Sequence, residues 1–335
     1  MSPLAPLLLA AAAAVAQDTD AFPTLGTITA LDDRFADCVP ADAKVEVLAS
    51  GFTWCEGPAW DAAAGDGAGR LLFSEIPSNT VRAWAPRRAV RVFLEPSGYT
   101  GSLDYGREPG SNGLLVTADR HLISCEHGDR RVSVMPLGGP GGKVTLADRF
   151  EGKRLNSPND LCRKSDGTIY FTDPPYGLPG GFESDLRELD FCGVYRLTPG
   201  GELSLVTKEM PRPNGIALSP DEKTLYVADS GDKLWKTFPV NDDGTTGEGR
   251  LFFDASERPG PGSADGLKVD EAGRVWATGP GGVWVFDADG VPLGLIATGE
   301  ACSNVAFGGP DGRDLFITSD MYLCRVRTRV RGAAR

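Results

Sequence analysis

One short pattern recurs six times along the chain: a turn rich in Gly and Asp is followed by a short apolar strand. We align the copies on one apolar residue each, at Leu72, Leu122, Ile169, Leu225, Val275 and Leu315. Successive copies are 50, 47, 56, 50 and 40 residues apart. Repeats of this size, each with several strand signals, predict an all-β fold, the six-bladed β-propeller. A pair of β-sandwiches is the competing fold, but it does not predict six copies in phase.

The repeats cover most of the chain and define its domain organisation. Residues 46–330 are predicted to form the propeller and residues 17–45 a lead-in segment, with no linker inside the repeats. The 43 Gly and 25 Pro among 335 residues are spread evenly, as many short strands joined by turns require. We therefore expect one propeller domain.

The first 16 residues differ from the rest in composition. Leu7-Leu-Leu9 and an alanine run lead to Ala14-Val-Ala16, which matches the apolar stretch and cleavage site of a secretory signal peptide. The run is too short to span a bilayer. We expect residues 1–16 to be a signal peptide and the protein to be secreted or periplasmic. The alternative is an Ala-rich tail, since no Lys or Arg precedes the run.

Charge and cysteine usage exclude several classes of partner. The formal net charge is −12, and a surface of this sign repels nucleic acid and anionic lipid. We therefore expect neither nucleic acid nor a membrane as a partner, and the oligomeric state stays open. No Cys-x-x-Cys pair occurs among the seven cysteines, so a cysteine-ligated zinc site is not expected. Export would permit disulfides, whose pairing the sequence does not give.

An oxygen-bearing residue precedes every marker strand by a similar number of residues. Five of them come ten or eleven residues before the marker and one, in the first repeat, comes sixteen before it because residues 62–68 look like a turn insertion; they are Asn112, Asn159, Asn214, Asp265, Asn304 and Glu56. Residues at one phase of successive blades lie at one height around the central channel. The pattern therefore predicts a ring of six side chains, although Asn112-Gly113 is also an ordinary turn sequence.

A ring of buried carboxylates and carboxamides needs a compensating partner. Ligands that offer only oxygen favour Ca²⁺, and less firmly Mg²⁺ or Mn²⁺, over Zn²⁺ or copper; Ca²⁺ is the expected cofactor, with Mg²⁺, Mn²⁺ or Zn²⁺ as alternatives. The cation would act as a Lewis acid, and Asp265, or a water that it orients, would supply the base or nucleophile. The chain has two histidines and no Gly-x-Ser-x-Gly sequence, so a serine hydrolase is not expected. Hydrolysis of an ester or lactone is the natural reaction.

Three further residues have both a functional and a structural interpretation. His127 is a candidate proton shuttle in the channel mouth, or a buried structural histidine. Arg154 is a candidate contact for a sugar hydroxyl or carboxylate, or a surface arginine. Tyr176 begins a long loop to about Phe191 that is typical of a lid, so it either lines the pocket or braces the loop. With Asn112, Asn159 and Asn304 of the ring, Arg154 and Tyr176 complete the candidate substrate contacts.

At these positions the sequence resembles the SMP-30/gluconolactonase/luciferin-regenerating-enzyme family, which includes regucalcin, and most closely its bacterial gluconolactonases. The motifs that carry the resemblance span about residues 45–325 and are Trp54-Cys-Glu-Gly-Pro-Ala-Trp60, Cys125-Glu-His-Gly-Asp-Arg-Arg131, Leu155-Asn-Ser-Pro-Asn-Asp160, Tyr170-Phe-Thr-Asp-Pro-Pro-Tyr-Gly177, Arg212-Pro-Asn-Gly-Ile216, Ser263-Ala-Asp-Gly266 and Asn304-Val-Ala-Phe-Gly-Gly309.

The resemblance implies a six-bladed propeller with one catalytic divalent ion. It implies Glu56, Asn214 and Asp265 as direct ligands, Asn159 as a further ligand or substrate contact, and Asp265 as the base. The implied substrate is a small aldonolactone such as glucono-1,5-lactone, opened to the free acid.

Two alternatives remain open. Diisopropylfluorophosphatase, paraoxonase and strictosidine synthase share the scaffold but not the reaction, and fold alone does not choose among them. One alternative is therefore a phosphotriesterase, or a lactonase or esterase for a non-sugar substrate. The other is a non-catalytic ligand-binding propeller in which the ion is structural.

Overall fold

Six antiparallel sheets surround a central channel in the computed structural model, which describes residues 22–102 and 104–333. Each sheet is one blade, and blades 1 to 6 follow the order of their innermost strands along the chain. No α-helix occurs in the described residues, which contain only the 3₁₀ turns Asp33–Asp37, Gly65–Gly67 and Gly181–Glu183. The predicted six-bladed β-propeller is therefore confirmed. The predicted signal peptide at residues 1–16 lies outside the described residues.

Every blade contains four strands, which follow one another in order from the channel to the rim. The inner strands are Cys55–Asp61, Ser111–Val116, Leu161–Arg163, Pro213–Leu218, Leu267–Val269 and Cys302–Gly308. The second strands are Arg70–Glu75, His121–Glu126, Ile169–Asp173, Thr224–Asp229, Val275–Gly279 and Asp314–Ser319. The third strands are Thr80–Trp84, Arg131–Pro136, Gly193–Leu197, Leu234–Pro239, Gly282–Phe286 and Tyr322–Arg327. The outer strands are Arg91–Leu94, Val144–Ala147, Leu203–Thr207, Arg250–Asp254, Pro292–Ala297 and, for blade 6, Val45–Ser50.

All six marker residues lie in second strands, but the first marker is one residue out of register. Leu71 pairs with Trp84 of the third strand just as Leu122 pairs with Met135, so Leu71 and not Leu72 is the equivalent residue. The difference matters because successive strand residues face opposite sides of the sheet. Leu71 packs between blades 1 and 6, whereas Leu72 packs between blades 1 and 2.

The N-terminal segment closes the propeller. Val45–Ser50 pairs with Tyr322–Arg327 at the end of the chain, so blade 6 combines strands from both ends. Thr24–Leu25 extends blade 6, and Thr27–Ala30 extends blade 5. The lead-in segment, from residue 22 onward, therefore forms part of two blades and covers their outer edges. A separate two-stranded hairpin, Arg149–Phe150 with Lys153–Arg154, lies between blades 2 and 3.

The apolar core lies between the blades. In the described residues, six clusters of buried side chains occupy the six interfaces between neighbouring sheets. All seven cysteines are buried and free, so none of them forms a disulfide in this structure. No helix in the part of the chain that the structure describes is long and apolar enough to cross a membrane.

Candidate active site

One end of the central channel opens into a polar cavity of about 350 Å³. Five of the six predicted ring residues line it; they are Glu56, Asn112, Asn159, Asn214 and Asp265. The sixth, Asn304, is buried and is not in the cavity wall. The equal phase of these residues in the sequence therefore brings five of them to one place, and the sixth into contact with that group.

The ring residues lie where the inner strands depart from regular pairing. The ladder of inner and second strand shifts register after Glu56, after Ser111, after Pro213 and after Cys302. In blades 3 and 5, Asn159 and Asp265 precede the inner strand altogether. Irregularities of this kind re-aim side chains next to functional sites. Here they allow polar side chains to point into the channel.

Glycines directly after ring residues let neighbouring inner strands approach one another. A Cβ on Gly57 would lie 2.0 Å from Asn112 O, and one on Gly215 would lie 2.2 Å from Asp265 O. Gly113 and Gly266 are crowded in the same way by the next blade. Glycine is therefore required at these positions, because any side chain there would push the next ring residue away.

Hydroxyl groups fix the backbone of the ring from the preceding blade. Ser74 Oγ donates to Asn112 O at 2.7 Å, Thr172 Oγ1 donates to Asn214 O at 2.7 Å, and Ser230 Oγ donates to Ala264 O at 2.6 Å. These bonds tie the ring to the neighbouring sheets. The cavity wall is therefore pre-organised.

Three of the carboxamides form a chain of hydrogen bonds. Asn112 Nδ2 donates to Asn159 Oδ1 at 2.7 Å, Asn159 Nδ2 donates to Asn214 Oδ1, and Asn214 Nδ2 donates to Ser230 Oγ at 2.9 Å. Asn112 Oδ1 is enclosed and accepts no hydrogen bond from the part of the chain that the structure describes. The chain orients three amide groups around the cavity and leaves one amide oxygen without a partner.

Two carboxyl groups face the same cavity. Glu56 is only 3 % exposed, and burial raises its pKa to about 8. Burial and the nearby Glu56 raise the pKa of Asp265 well above its usual range. Asp265 Oδ1 is enclosed and has no hydrogen-bond partner among the described residues. Two neighbouring carboxylates with an unpaired oxygen are an unfavourable arrangement that a cation would relieve.

The donor set fits a hard divalent cation. The described residues contain no cluster of three or more His, Cys, Asp or Glu side chains arranged to hold a metal. A cation here would therefore rely on amide oxygens as well as on the carboxylates of Glu56 and Asp265. The unpaired Oδ1 of Asp265 meets this requirement together with Asn214 Oδ1, which accepts one hydrogen bond and keeps a second lone pair for a cation, and such all-oxygen ligation suits Ca²⁺ or Mg²⁺.

A second polar layer lies against the ring. Asn304 Nδ2 donates to Asp160 Oδ2 at 3.3 Å, and Asn304 also hydrogen-bonds Glu56. Lys268 Nζ lies 3.9 Å from Asp160 Oδ2. Lys268 also lines a cavity that the ring residues do not line. Neither Asp160 nor Lys268 was predicted from the sequence, although Asp160 directly follows Asn159 in a quoted motif.

His127 lies behind the ring. It is completely buried and does not line the cavity, so the structure does not place it in the channel mouth as predicted. Its Nε2 is 3.3 Å from Asn159 Oδ1 and 3.4 Å from Asn112 Nδ2. Burial lowers the pKa of His127 to about 4. The neutral imidazole therefore packs against the amide groups of Asn112 and Asn159 and helps to orient them.

The two other candidates differ in position. Tyr176 lines the cavity, hydrogen-bonds Ser230 and packs edge-on against Phe182 of the long loop. Arg154 does not line the cavity; its Nη2 donates to Asp129 O at 2.7 Å. The predicted substrate contact of Tyr176 is therefore compatible with the geometry, whereas Arg154 is occupied elsewhere.

One charged cavity residue had no signal in the sequence. Glu108 lines the cavity together with Glu56 and Asp265, and its Oε2 lies 3.7 Å from His127 Nδ1. It lies in the connection between blades 1 and 2, outside the repeat phase that identified the ring. The repeat pattern therefore could not reveal it.

Known proteins with similar sequences and structures include several gluconolactonases. The family model described as SMP-30/Gluconolactonase/LRE-like region matches residues 54–321. The chain is 38% identical over 324 residues to a gluconolactonase of Zymomonas mobilis subsp. mobilis, covering 92% of this chain and 88% of that protein. The solved structure of a candidate gluconolactonase superposes with a TM-score of 0.81 at 36% identity, covering 92% of this chain and 100% of that one. A gluconolactonase from Xanthomonas campestris gives a TM-score of 0.76 at 32% identity, covering 93% and 99%.

Proposed function

The chain belongs to the SMP-30/Gluconolactonase/LRE-like family, and from that premise we propose that it is a lactonase that opens a sugar lactone with the help of a divalent cation. The family resemblance of the motifs is confirmed by the match to residues 54–321. The relatives from Zymomonas mobilis and Xanthomonas campestris are gluconolactonases, which supports lactone hydrolysis as the reaction. The cation, the base and the sugar are the finer parts of the proposal.

The observation that carries the proposal is a pair of buried carboxyl groups in one cavity, one of which has an oxygen atom without a partner. Glu56 is buried, and Asp265 Oδ1 is enclosed without a partner. A protein does not retain such a pair for stability, because burial of charge without compensation is costly. Perturbed, uncompensated groups in a cleft are typical of functional sites.

Glu56, Asn214 and Asp265 would hold the cation, with Asn159 as a further ligand or a substrate contact. We propose Ca²⁺ because carboxylate and amide oxygens form the whole donor set. The bound cation supplies Lewis-acid activation of the lactone carbonyl. A cation beside Glu56 and Asp265 would also lower the pKa of both carboxyls, so that Asp265 is ionised at neutral pH.

Asp265 is the proposed general base. Its carboxylate accepts a proton from the attacking water as the water oxygen bonds to the carbonyl carbon. The bond from that carbon to the ring oxygen then breaks, and the proton passes from Asp265 to the departing ring oxygen. The product is the open hydroxy acid, and Asp265 returns to its ionised form.

Other cavity residues orient the substrate. Tyr176 stays neutral because burial raises its pKa, so its hydroxyl is available as a hydrogen-bond partner at the cavity wall. Asn112 presents an unpaired amide oxygen there. We assign His127 a positioning role, since it contacts Asn112 and Asn159 from behind and does not line the cavity.

A pH-stat assay tests the function. Purified protein is treated with EDTA and then assayed against aldonolactones, a lactone without hydroxyls, aryl esters and phosphotriesters, with and without added Ca²⁺. We expect acid release from aldonolactones only in the presence of the cation. Faster turnover of phosphotriesters than of any lactone would instead support the phosphotriesterase alternative.

Two further outcomes would overturn the proposal. Lactone hydrolysis that is unaffected by EDTA in a protein shown to be metal-free would refute the role of the cation. Binding of Ca²⁺ without turnover of any substrate in the panel would support a ligand-binding propeller with a structural ion.

We also propose that the protein is exported, on the basis of the apolar run that ends in Ala14-Val-Ala16. Expression of the full chain in a Gram-negative host, followed by fractionation and intact-mass measurement, tests this proposal. We expect periplasmic protein that lacks residues 1–16. Uncleaved cytoplasmic protein would refute it.

A further inference from the structure

Glu108 is a third carboxylate in the cavity and none of the roles above uses it. It lies in the rim loop, which we define as residues 95–110, between the outer strand of blade 1 and the inner strand of blade 2. It lines the same cavity as Glu56, Asp265 and Tyr176. Its side chain is 34 % exposed, whereas Glu56 is 3 % exposed. Glu108 therefore lies nearer the cavity mouth than the buried ring.

The backbone that carries Glu108 is held firmly in place. The next two residues accept hydrogen bonds from the turn after His121–Glu126: His127 N donates to Gly110 O at 3.2 Å and Gly128 N donates to Pro109 O at 3.2 Å. Gly110 N donates to Ile76 O at 3.1 Å. Glu108 is thus positioned by two blades, as a recognition residue needs to be.

The start of the rim loop is fixed as well. Asn79 Oδ1 accepts hydrogen bonds from the backbone N–H groups of Ser97, Gly98 and Tyr99. The ring of Tyr99 packs against that of Tyr105 with centroids 4.5 Å apart. The two ends of the rim loop are therefore tied to blades 1 and 2, and the loop contributes Glu108 to the cavity wall.

The Glu108 carboxylate has free acceptor capacity. Within the described residues, no group donates a hydrogen bond to its oxygens, and the nearest cationic or ring nitrogen partner is His127 Nδ1 at 3.7 Å. A carboxylate has about four lone-pair positions for donors. Its neighbours across the cavity are the carboxylates of Glu56 and Asp265, which are acceptors too. A ligand in the cavity can therefore supply Glu108 with donors that the protein does not provide.

We infer that Glu108 is a specificity-determining residue, whose carboxylate accepts hydrogen bonds from hydroxyl groups of a neutral, polyhydroxylated lactone. This inference rests on the proposed lactonase function and adds the residue that selects a hydroxylated ring. Three carboxylates around one cavity disfavour an anionic substrate, and a ring that carries hydroxyls supplies the donors that Glu108 lacks. A hydrogen bond to a charged group that is lost on truncation costs about tenfold or more in affinity.

Specificity between two lactones tests this inference. Calcium-loaded wild-type protein, Glu108→Gln and Glu108→Ala are assayed with glucono-1,5-lactone and with δ-valerolactone, which has the same ring and carbonyl but no hydroxyls. We expect the ratio of the two kcat/KM values to fall about tenfold in Glu108→Ala and less in Glu108→Gln. Glu95→Gln, an exposed residue at the start of the same loop, should keep the wild-type ratio.

Three results would overturn it. The ratio stays at the wild-type value in Glu108→Ala, both substrates lose equally, or the Kd for Ca²⁺ measured by calorimetry rises about tenfold. The last two would make Glu108 a catalytic residue or a metal ligand rather than a residue that selects the substrate.

A binding measurement separates this inference from the proposed function. 1,5-Anhydroglucitol carries the ring hydroxyls but no carbonyl, so it binds without turnover. Calorimetry should show about tenfold weaker binding to Glu108→Ala than to wild type. If the wild type hydrolyses no lactone but this difference is present, the proposed function fails and the inference about Glu108 stands. Equal binding to both proteins, or none to either, refutes the inference.

Discussion

The same inner strands line a cavity at each end of the channel, and the two cavities differ in kind. The ring cavity holds about 350 Å³ and is walled by carboxylates and amides with unpaired oxygens. The opposite cavity is larger, about 610 Å³, and is lined mainly by apolar residues such as Leu114, Ile216 and Ala306. The larger cavity is thus not the better candidate site. Unpaired buried polar atoms, and not volume, mark the end where chemistry takes place.

The reason for the difference lies within each strand. At the ring end, the backbone pairing shifts register after residues such as Glu56, and this irregularity turns a polar side chain toward the channel. Beyond the shift, regular pairing resumes, and Leu114 and Ile216 join the apolar clusters between blades. Function and stability therefore occupy successive segments of one strand.

The largest expected effect comes from replacing a carboxylate at the ring end, with a carboxylate at the opposite end as its control. Asp265→Asn removes the proposed base and one cation ligand with little change in volume. We expect kcat for glucono-1,5-lactone to fall about 10³-fold, since a general base contributes about 10²–10⁴-fold. Steady-state kinetics with saturating Ca²⁺ measures it.

Asp311→Asn is the matched control at the opposite end. Asp311 lines the larger cavity and pairs with Arg327, outside the ring. We expect its kcat to stay within about twofold of wild type. If Asp311→Asn lost as much activity as Asp265→Asn, the functional difference between the two ends would be wrong.

Removal of the cation should destabilise the protein in a pH-dependent way. Without a cation, burial raises the pKa of Glu56 from 4.5 to about 8. A carboxyl whose folded-state pKa is raised stabilises the fold below pH 4.5, and this stability is lost as pH rises through 8. A bound cation replaces the proton and restores stability in that window.

Differential scanning fluorimetry with EDTA or Ca²⁺ measures this effect. At pH 8 we expect Ca²⁺ to raise the free energy of unfolding by about 3 kcal/mol and Tm by about 6 °C, and at pH 5 by much less. Glu56→Gln should reduce the dependence on pH and leave the part that comes from Asp265, whereas Glu95→Gln should keep the full dependence. An equal shift of Tm at both pH values would contradict the role of Glu56.

The sequence predicted the ring because the ring follows the repeat. Glu56, Asn112, Asn159, Asn214 and Asp265 share one phase, and a propeller converts equal phase into equal height around the channel. The insertion at residues 62–68 did not hide Glu56, because only its distance from the marker changed. The fold and five cavity residues were therefore within reach of pattern alone.

What the sequence missed depends on contacts outside that phase. Glu108 is placed by a loop that donates hydrogen bonds to Asn79 and accepts them from the turn at His127. Asp160 and Lys268 meet across the channel, at a depth that depends on the register of each blade. His127 is of a residue type that is common in catalysis, and only its complete burial shows that it lies behind the ring. Contacts of this kind produce no periodic pattern in the sequence.

A smaller effect is expected from the glycines that bring neighbouring ring residues together. Gly215→Ala places a Cβ about 2.2 Å from Asp265 O and must displace the backbone of a proposed ligand. We expect the free energy of unfolding to fall by about 2 kcal/mol, as overpacking usually costs. Binding of Ca²⁺ should weaken at the same time. Denaturant titration and calorimetry measure the two quantities.

Gly142→Ala serves as the control for this change. Apart from its chain neighbours, a Cβ on Gly142 would meet no heavy atom within 4 Å, and Gly142 lies outside the channel. Its substitution should leave both stability and Ca²⁺ binding close to wild type. If Gly215→Ala behaved like Gly142→Ala, close approach of the inner strands would not be what positions Asp265.

The smallest expected effect is that of a lysine in the apolar cavity on Ca²⁺ binding at the ring end. Lys268 lines the apolar cavity, yet its Nζ lies 3.9 Å from Asp160, which contacts Glu56 through Asn304. Lys268→Met removes a positive charge near the proposed cation site, so Ca²⁺ should bind about threefold more tightly at low ionic strength. Arg163→Met removes a charge from the same cavity without touching Asp160, and should change the Kd less. Weaker binding in Lys268→Met would show that the lysine supports the ring through Asp160 rather than opposing the cation. The two ends of the channel would then form one cooperative unit, contrary to the division drawn from their chemistry.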